Sequence, residues 1–209
     1  MRDLEAAANP LFTIGHSNHP LETFLALLVQ HELQVLVDVR SQPYSRYSRH
    51  FDQPSLRRGV TERGLRYAFL GRELGGRPQG ASFYDGAGHA LYWRIAQASF
   101  FQQGIRWIEQ GRLTGRMALM CSEENPLECH RSLLIARVLA ERGIAAQHIR
   151  GDGSIQTEAE LRVERSIGEA VSPQLSLFAT VGQEDQEETR WRSARSVLRR
   201  EPPPISSGH

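Results

Sequence analysis

The chain has 209 residues, 40% hydrophobic and 23% charged, with a formal net charge of +1. That composition suits one medium domain with an appendage and excludes wholesale disorder or a fibrous repeat. All 25 basic residues are Arg, which excludes a lysine Schiff base, a lysine general base and a phosphate-binding lysine loop. No apolar run reaches the roughly 18–20 residues of a membrane span, and the first ten residues lack the apolar stretch of a secretory signal. Cys121 and Cys129 are too few for a disulfide framework. A cytoplasmic protein with free thiols and no membrane association is expected.

The first apolar run predicts a strand over 11–14, followed by the polar turn Gly15-His16-Ser17. Pro20 suits the first turn of a helix whose apolar face is Phe24, Leu25, Leu27 and Leu28, ending near Leu33. A second strand over 35–39 carries Asp38 and runs through Arg40 into a loop where Ser41, Ser45, Arg46 and Arg49 alternate with Tyr44 and Tyr47. From Arg40 to Arg77 nine Arg face only three acids, which marks an anion-binding stretch. A helix over 54–63 and a strand over 66–70 follow. A longer helix is predicted over 89–110, interrupted at Gly104. The strand over 117–121 ends on Cys121 and leads through Ser122-Glu123-Glu124-Asn125-Pro126-Leu127-Glu128 to a helix over 129–142 with Gly143 at its C-terminal cap. A fifth strand is expected over 146–150. This alternation predicts an α/β domain over 1–170: a single, small, doubly wound and mostly parallel sheet of about five strands with flanking helices. Mixed acidic, basic and Pro/Ser composition reads 171–209 as a flexible tail.

In an open sheet of this kind, ligands bind in the crevice outside the carboxyl ends of the strands. The polar residues gather at those ends. Arg40, Arg46 and Arg131 are candidates to hold phosphate, with His16, Ser17, Ser41 and Ser45 as further substrate contacts. Asp38, Glu123 and Glu124 are candidate acid/base groups. Cys121 and Cys129 are candidate nucleophiles, with His130 beside Cys129 at the start of a helix, where the partial positive charge favours an anion. No cofactor is expected. Zinc at Cys121, Cys129 and His130 is disfavoured, because this spacing is unusual for zinc and adjacent residues on a helix diverge by about 100°. Each group also has a plain structural role open to it: a buried thiol, a capping His, an Asp that merely pairs with Arg, or solvated loop carboxylates.

The segments Thr13-Ile14-Gly15-His16-Ser17, DVRSQPYSR at 38–46, LGGRP at 74–78 and LMCSEENPLECHR at 119–131 resemble the bacterial domain of unknown function 488, over about residues 11–155. The resemblance implies an α/β fold with these motifs at its site. A fainter similarity is to rhodaneses and cysteine phosphatases. Those families place a Cys five residues before an Arg, whereas Cys121 precedes Arg131 by ten positions and Cys129 by two.

In the tail, Gln174-Leu175-Ser176-Leu177-Phe178 resembles the peptide with which bacterial DNA polymerases and repair proteins dock on the replication sliding clamp. The alternative is that this pentad folds back on the domain. With the clamp as partner, the basic stretch is read as a contact for DNA, single-stranded or with a flipped nucleotide. Three functions are therefore weighed: a DNA-maintenance enzyme cleaving a glycosidic or phosphoester bond, a rhodanese- or phosphatase-like cysteine enzyme on a small anion, and a noncatalytic nucleotide-binding adaptor.

Overall fold

The computed structural model describes residues 9–45, 47–171 and 191–197. Arg46 and the clamp-like residues Gln174, Leu175, Leu177 and Phe178 lie outside them. All five predicted strands form: β1 (Leu11–Gly15), β2 (Val35–Asp38), β3 (Arg66–Phe69), β4 (Met117–Cys121) and β5 (Ala146–Ile149). A sixth, β6 (Ile155–Thr157), completes a sheet of order β3-β2-β4-β1-β5-β6. Every pairing is parallel except β5 with β6.

Because both faces are covered, the central strands are apolar at nearly every position and their side chains alternate between two cores. Phe12, Ile14, Leu36, Ala118 and Met120 pack against α1 (Leu21–Gln30) and α2 (Gln53–Glu62) through Phe24, Leu25, Leu28, Leu56 and Val60. Leu11, Val35, Val37, Met117 and Leu119 point the other way. The short helix α3 (Gly71–Leu74) contributes Leu74 to that second core. Beyond it, α4 (Tyr92–Gln97) and α5 (Ser99–Gly111) add Ile95, Phe101, Ile105 and Ile108. The last crossover, a π-helical stretch over Arg131–Ala136 continuing into α6 (Arg137–Glu141), supplies Leu134, Ile135, Val138 and Leu139.

Three local readings change. The helix expected over 89–110 divides at Ala98, whose extended ψ of 139° ends α4. Gly104 does not interrupt it but lies inside α5, where the helix passes Leu74 so closely that a Cβ would come within 2.6 Å of its Cγ. The helix expected from Cys129 begins later, since Cys129 is extended (φ −113°, ψ 138°) and closes a one-turn 3-10 segment over Pro126–Glu128. Gly143 caps the far end as expected, with φ +79° and the amides of Gly143 and Ile144 returning to Ala140 and Leu139.

The end of the domain holds two elements the periodicity does not announce. β6 is short and mostly exposed, so it carries no apolar signature. α7 (Glu158–Val171) opens on a reciprocal cap. The Thr157 amide donates to the Glu160 carboxylate at 2.7 Å, and the Glu160 amide donates to Thr157 Oγ1 at 3.3 Å.

Residues 191–197, assigned by composition to the tail, instead lie against the domain. Tyr92 donates its amide to the Trp191 carbonyl, Ser193 donates to Ala90, and the Trp191 indole donates to the Leu133 carbonyl at 2.7 Å. No helix among the described residues is long and apolar enough to cross a membrane.

Gly104→Ala should destabilise the protein by about 1–3 kcal/mol in urea unfolding, because overpacking against Leu74 outweighs the gain in helix propensity of roughly 1 kcal/mol. A more stable variant would show that the α3–α5 contact yields easily.

Candidate functional site

The parallel register sets Gly15 level with Cys121, and Asp38 level with Met120. The chain therefore leaves β1, β2 and β4 along one rim of the sheet. There Arg40, Ser41, Tyr44, Arg77, Tyr92, Cys121, Glu123 and His130 line a hollow of about 390 Å³, one wall of which is the 193–197 segment.

Two buried polar systems build this rim. The first is centred on Asp38, which is fully buried. Its carboxylate accepts from Arg40 Nε at 2.9 Å and Nη2 at 2.7 Å, and from the Tyr67 hydroxyl at 2.6 Å. Arg40 Nη2 also donates to the Phe51 carbonyl. Burial weakens the Arg40 cation, but Asp38 outweighs it and raises the pKa; the Tyr67 phenol is pushed far up by burial and by the Asp38 charge. Asp38 thus holds Arg40 at the hollow and does not face it as an acid or base.

His16 supports the same cation. Its ring stacks on Phe51 with centroids 4.2 Å apart. Nδ1–H donates to the Ser17 carbonyl at 2.8 Å, leaving Nε2 to accept from Arg40 Nη1 at 3.3 Å. Burial lowers the His16 pKa from 6.5 to about 4, opposed by the Ser17 carbonyl and reinforced by Arg40.

The second system is centred on Arg131, whose side chain has no exposure at all. Its guanidinium donates to the carbonyls of Glu123 and Glu124 and to Thr13 Oγ1. Thr13 Oγ1 is in turn 2.8 Å from His148 Nδ1, and His148 Nε2 is 2.8 Å from Glu158. Arg131 is thereby committed to the scaffold and not to the hollow. Glu124 turns away as well, into a two-point pair with Arg150 at 2.8 and 2.9 Å, which holds its carboxyl below the usual range.

With the backbone of Glu123 pinned by Arg131, its side chain reaches the floor of the hollow beside Cys121, Cys129 and His130. Glu123 Oε2 is 2.9 Å from Cys121 Sγ and 3.3 Å from Cys129 Sγ; His130 Nδ1 is 3.6 and 3.9 Å from the same two sulfurs. Both thiols are buried. The hydrogen bond with Cys129, together with burial, pushes the Cys121 thiol well up. Burial also opposes ionisation of Cys129, but Cys121, Arg131 and His130 outweigh it and hold that thiol well below its ordinary value. The imidazole of His130 is raised, because Cys129 and Glu123 outweigh its burial. One ligand atom from each of Cys121, Glu123, Cys129 and His130 lies within 4.8 Å of all the others, a separation that could accommodate one metal ion. The 100° divergence expected of neighbours on a helix does not apply, because Cys129 lies before the helix and turns back beside His130.

The remaining candidates are dispersed. Ser41 lines the hollow and its Oγ accepts from the Arg77 amide at 2.9 Å. Ser45 Oγ instead closes its own loop by accepting from Tyr47 and Ser48 amides, and Ser17 ties β1 to the loop after β4 through the Ser122 carbonyl. Arg77, Tyr92 and Arg195 also line the hollow, beyond the candidate site residues. Arg77 sits in the LGGRP segment and was visible there. Arg195, from a stretch read as tail and paired with Glu128, had no such signal.

A family model described as "Domain of unknown function DUF488" matches residues 20–138. The chain belongs to this family. The match takes in β2, β4, Arg40, Arg77 and all four members of the thiol, imidazole and carboxylate cluster, while β1 and β5 fall outside it. No curated protein and no solved structure matches the chain.

The low pKa of His16 links protonation to stability. As pH falls, the unfolded chain protonates near 6.5 and the folded chain only near 4. Stability present above pH 6.5 is therefore lost progressively down to about pH 4, by about 3 kcal/mol. Urea unfolding across that window should be flatter for His16→Asn than for the unaltered protein. Parallel curves would mean that His16 titrates normally in the folded state.

Proposed function

We propose that this DUF488 protein is a hydrolase of DNA maintenance, acting on a nucleotide or base in DNA by glycosidic or phosphoester cleavage and recruited by the bacterial sliding clamp. The observation that carries the hydrolytic reading is the position of Glu123. Of the three candidate carboxylates it is the one that lines the hollow at the carboxyl ends of the strands, where Arg40 and Arg77 line the same space. Guanidinium groups there suit the phosphates of a nucleotide. A carboxylate beside them suits activation of water or protonation of a leaving group. A hollow of about 390 Å³ lies in the small-molecule range of roughly 300–1,000 Å³, enough for one extruded nucleotide unit but not a duplex.

The cysteine-enzyme reading is weaker because its requirements are divided between two residues. Cys121 lines the hollow, but its thiol pKa is raised; Cys129 has the lowered pKa, yet it is only 1% exposed. A thiolate nucleophile needs reactivity and access on one sulfur.

DNA as the substrate class rests on the pentad Gln174-Leu175-Ser176-Leu177-Phe178 and on the Arg-rich stretch from 40 to 77. Replacing both Leu177 and Phe178 by Ala should weaken clamp binding by about 2 kcal/mol or more, roughly thirty-fold in Kd, as read by calorimetry on the full chain. Unchanged affinity would remove the clamp from the proposal. Independently, the protein should process at least one member of a panel of lesion-bearing single-stranded and duplex oligonucleotides, and Glu123→Gln should slow that turnover by about 10²–10⁴-fold. Tight oligonucleotide binding with no turnover across the panel would favour an adaptor instead.

A further inference from the structure

We propose that Cys121, Glu123, Cys129 and His130 bind one zinc ion at the floor of the hollow. The assignment does not depend on the identity of the substrate.

The distances fit. A tetrahedral zinc site with Zn–S near 2.3 Å and Zn–N or Zn–O near 2.0–2.1 Å has donor–donor edges of about 3.3–3.8 Å. The two sulfur–oxygen separations are 2.9 and 3.3 Å, the two sulfur–nitrogen separations are 3.6 and 3.9 Å, and no donor is more than 4.8 Å from another. A central ion would lengthen the two carboxylate edges by about 0.6 and 0.3 Å. Glu123 can supply that movement, since its side chain is exposed while both sulfurs are buried.

The histidine is already set for ligation. Its Nε2–H donates to the Val39 carbonyl at 3.1 Å, so Nδ1 carries the lone pair and faces the two sulfurs. A backbone carbonyl on the far nitrogen is the usual device that fixes tautomer and ring orientation in metal-bound histidine. The rest of the chelate comes from one short segment held rigidly. Arg131 pins the Glu123 and Glu124 carbonyls, and the Asn125 side chain accepts from the Leu127 amide at 3.0 Å.

The donor set selects the metal. Two thiolates and an imidazole disfavour magnesium and calcium, which take oxygen shells, and a four-donor S₂NO tetrahedron suits zinc. Two sulfurs and a carboxylate oxygen crowded at 2.9–3.3 Å, mostly out of water, are electron-rich groups that a divalent cation satisfies together. The site is also open on one side: Cys129 lies beneath, whereas Cys121, Glu123 and His130 line the hollow, and Glu123 is the donor whose side chain is exposed.

Untagged full-length protein, purified without chelator, should contain about one zinc per chain by elemental analysis. After removal of the metal and titration with cobalt, it should show the visible bands of a tetrahedral thiolate-ligated ion. Cys121→Ser and Cys129→Ser should each lose zinc. His130→Asn serves as a second test if the serine variants fail to fold, and circular dichroism on each separates lost metal from lost structure. Glu123→Gln should keep the zinc but weaken its retention against a chelator by at least tenfold. The proposal falls if the folded protein is metal-free and takes up no cobalt, which would leave a bare thiol–imidazole pair. It also falls if iron is the bound metal, or if the folded Cys121→Ser and Cys129→Ser proteins both retain a full equivalent of zinc.

Discussion

A guanidinium fully withdrawn from water must have its donors satisfied by protein, and Arg131 meets that demand with the carbonyls of Glu123 and Glu124 and the hydroxyl of Thr13. The rest of the site depends on this. The contact fastens the loop after β4 to β1, turns the backbone of that loop inward, and leaves the two neighbouring carboxylates to diverge. Glu123 goes to the hollow and Glu124 to Arg150. A hydrogen bond to a charged group contributes about 1.5–3 kcal/mol in general. The charge of Arg131 also acts on the Cys129 thiol, so a scaffold residue tunes the chemistry without touching the hollow.

The Asp38 system does the same work on the other side. A buried aspartate, a tyrosine hydroxyl and a neutral histidine orient one arginine that itself lines the hollow. Such a cation loses little entropy on meeting an anion, because its rotamer is already held. The hollow therefore has a pre-set positive group on its rim and a sulfur, nitrogen and oxygen donor set on its floor.

The segment 191–197 adds a wall from a distant part of the chain. Trp191 anchors it through the Leu133 carbonyl and beneath the guanidinium of Arg137, 4.3 Å from the ring centre. Arg192 pairs with Asp85, and Arg195 with Glu128 at the mouth of the hollow. Two arginines that composition assigns to the tail, Arg192 and Arg195, are thus engaged in pairs with the domain.

The three central strands were legible in the sequence because burial on both faces demands nearly continuous apolar runs, which 11–15, 35–38 and 117–121 supply, and their alternation with helical patterns marked the doubly wound arrangement. The gathering of motifs at one rim was legible too, since parallel strands leave their carboxyl ends on one side. The cap of α7 has a local signature, the Thr-x-x-Glu of Thr157 and Glu160, whereas β6 carries no signal at all. Sequence by itself therefore determined which residue types reach the rim: guanidinium, thiol, imidazole and carboxylate. Only the tertiary structure decided how they divide, with Arg40 kept at the hollow and Arg131 buried, Glu123 inward and Glu124 outward, and Cys129 extended so that it meets His130. Such choices turn on the hydrogen-bond partners offered by remote strands, and nearest neighbours in the chain do not encode those.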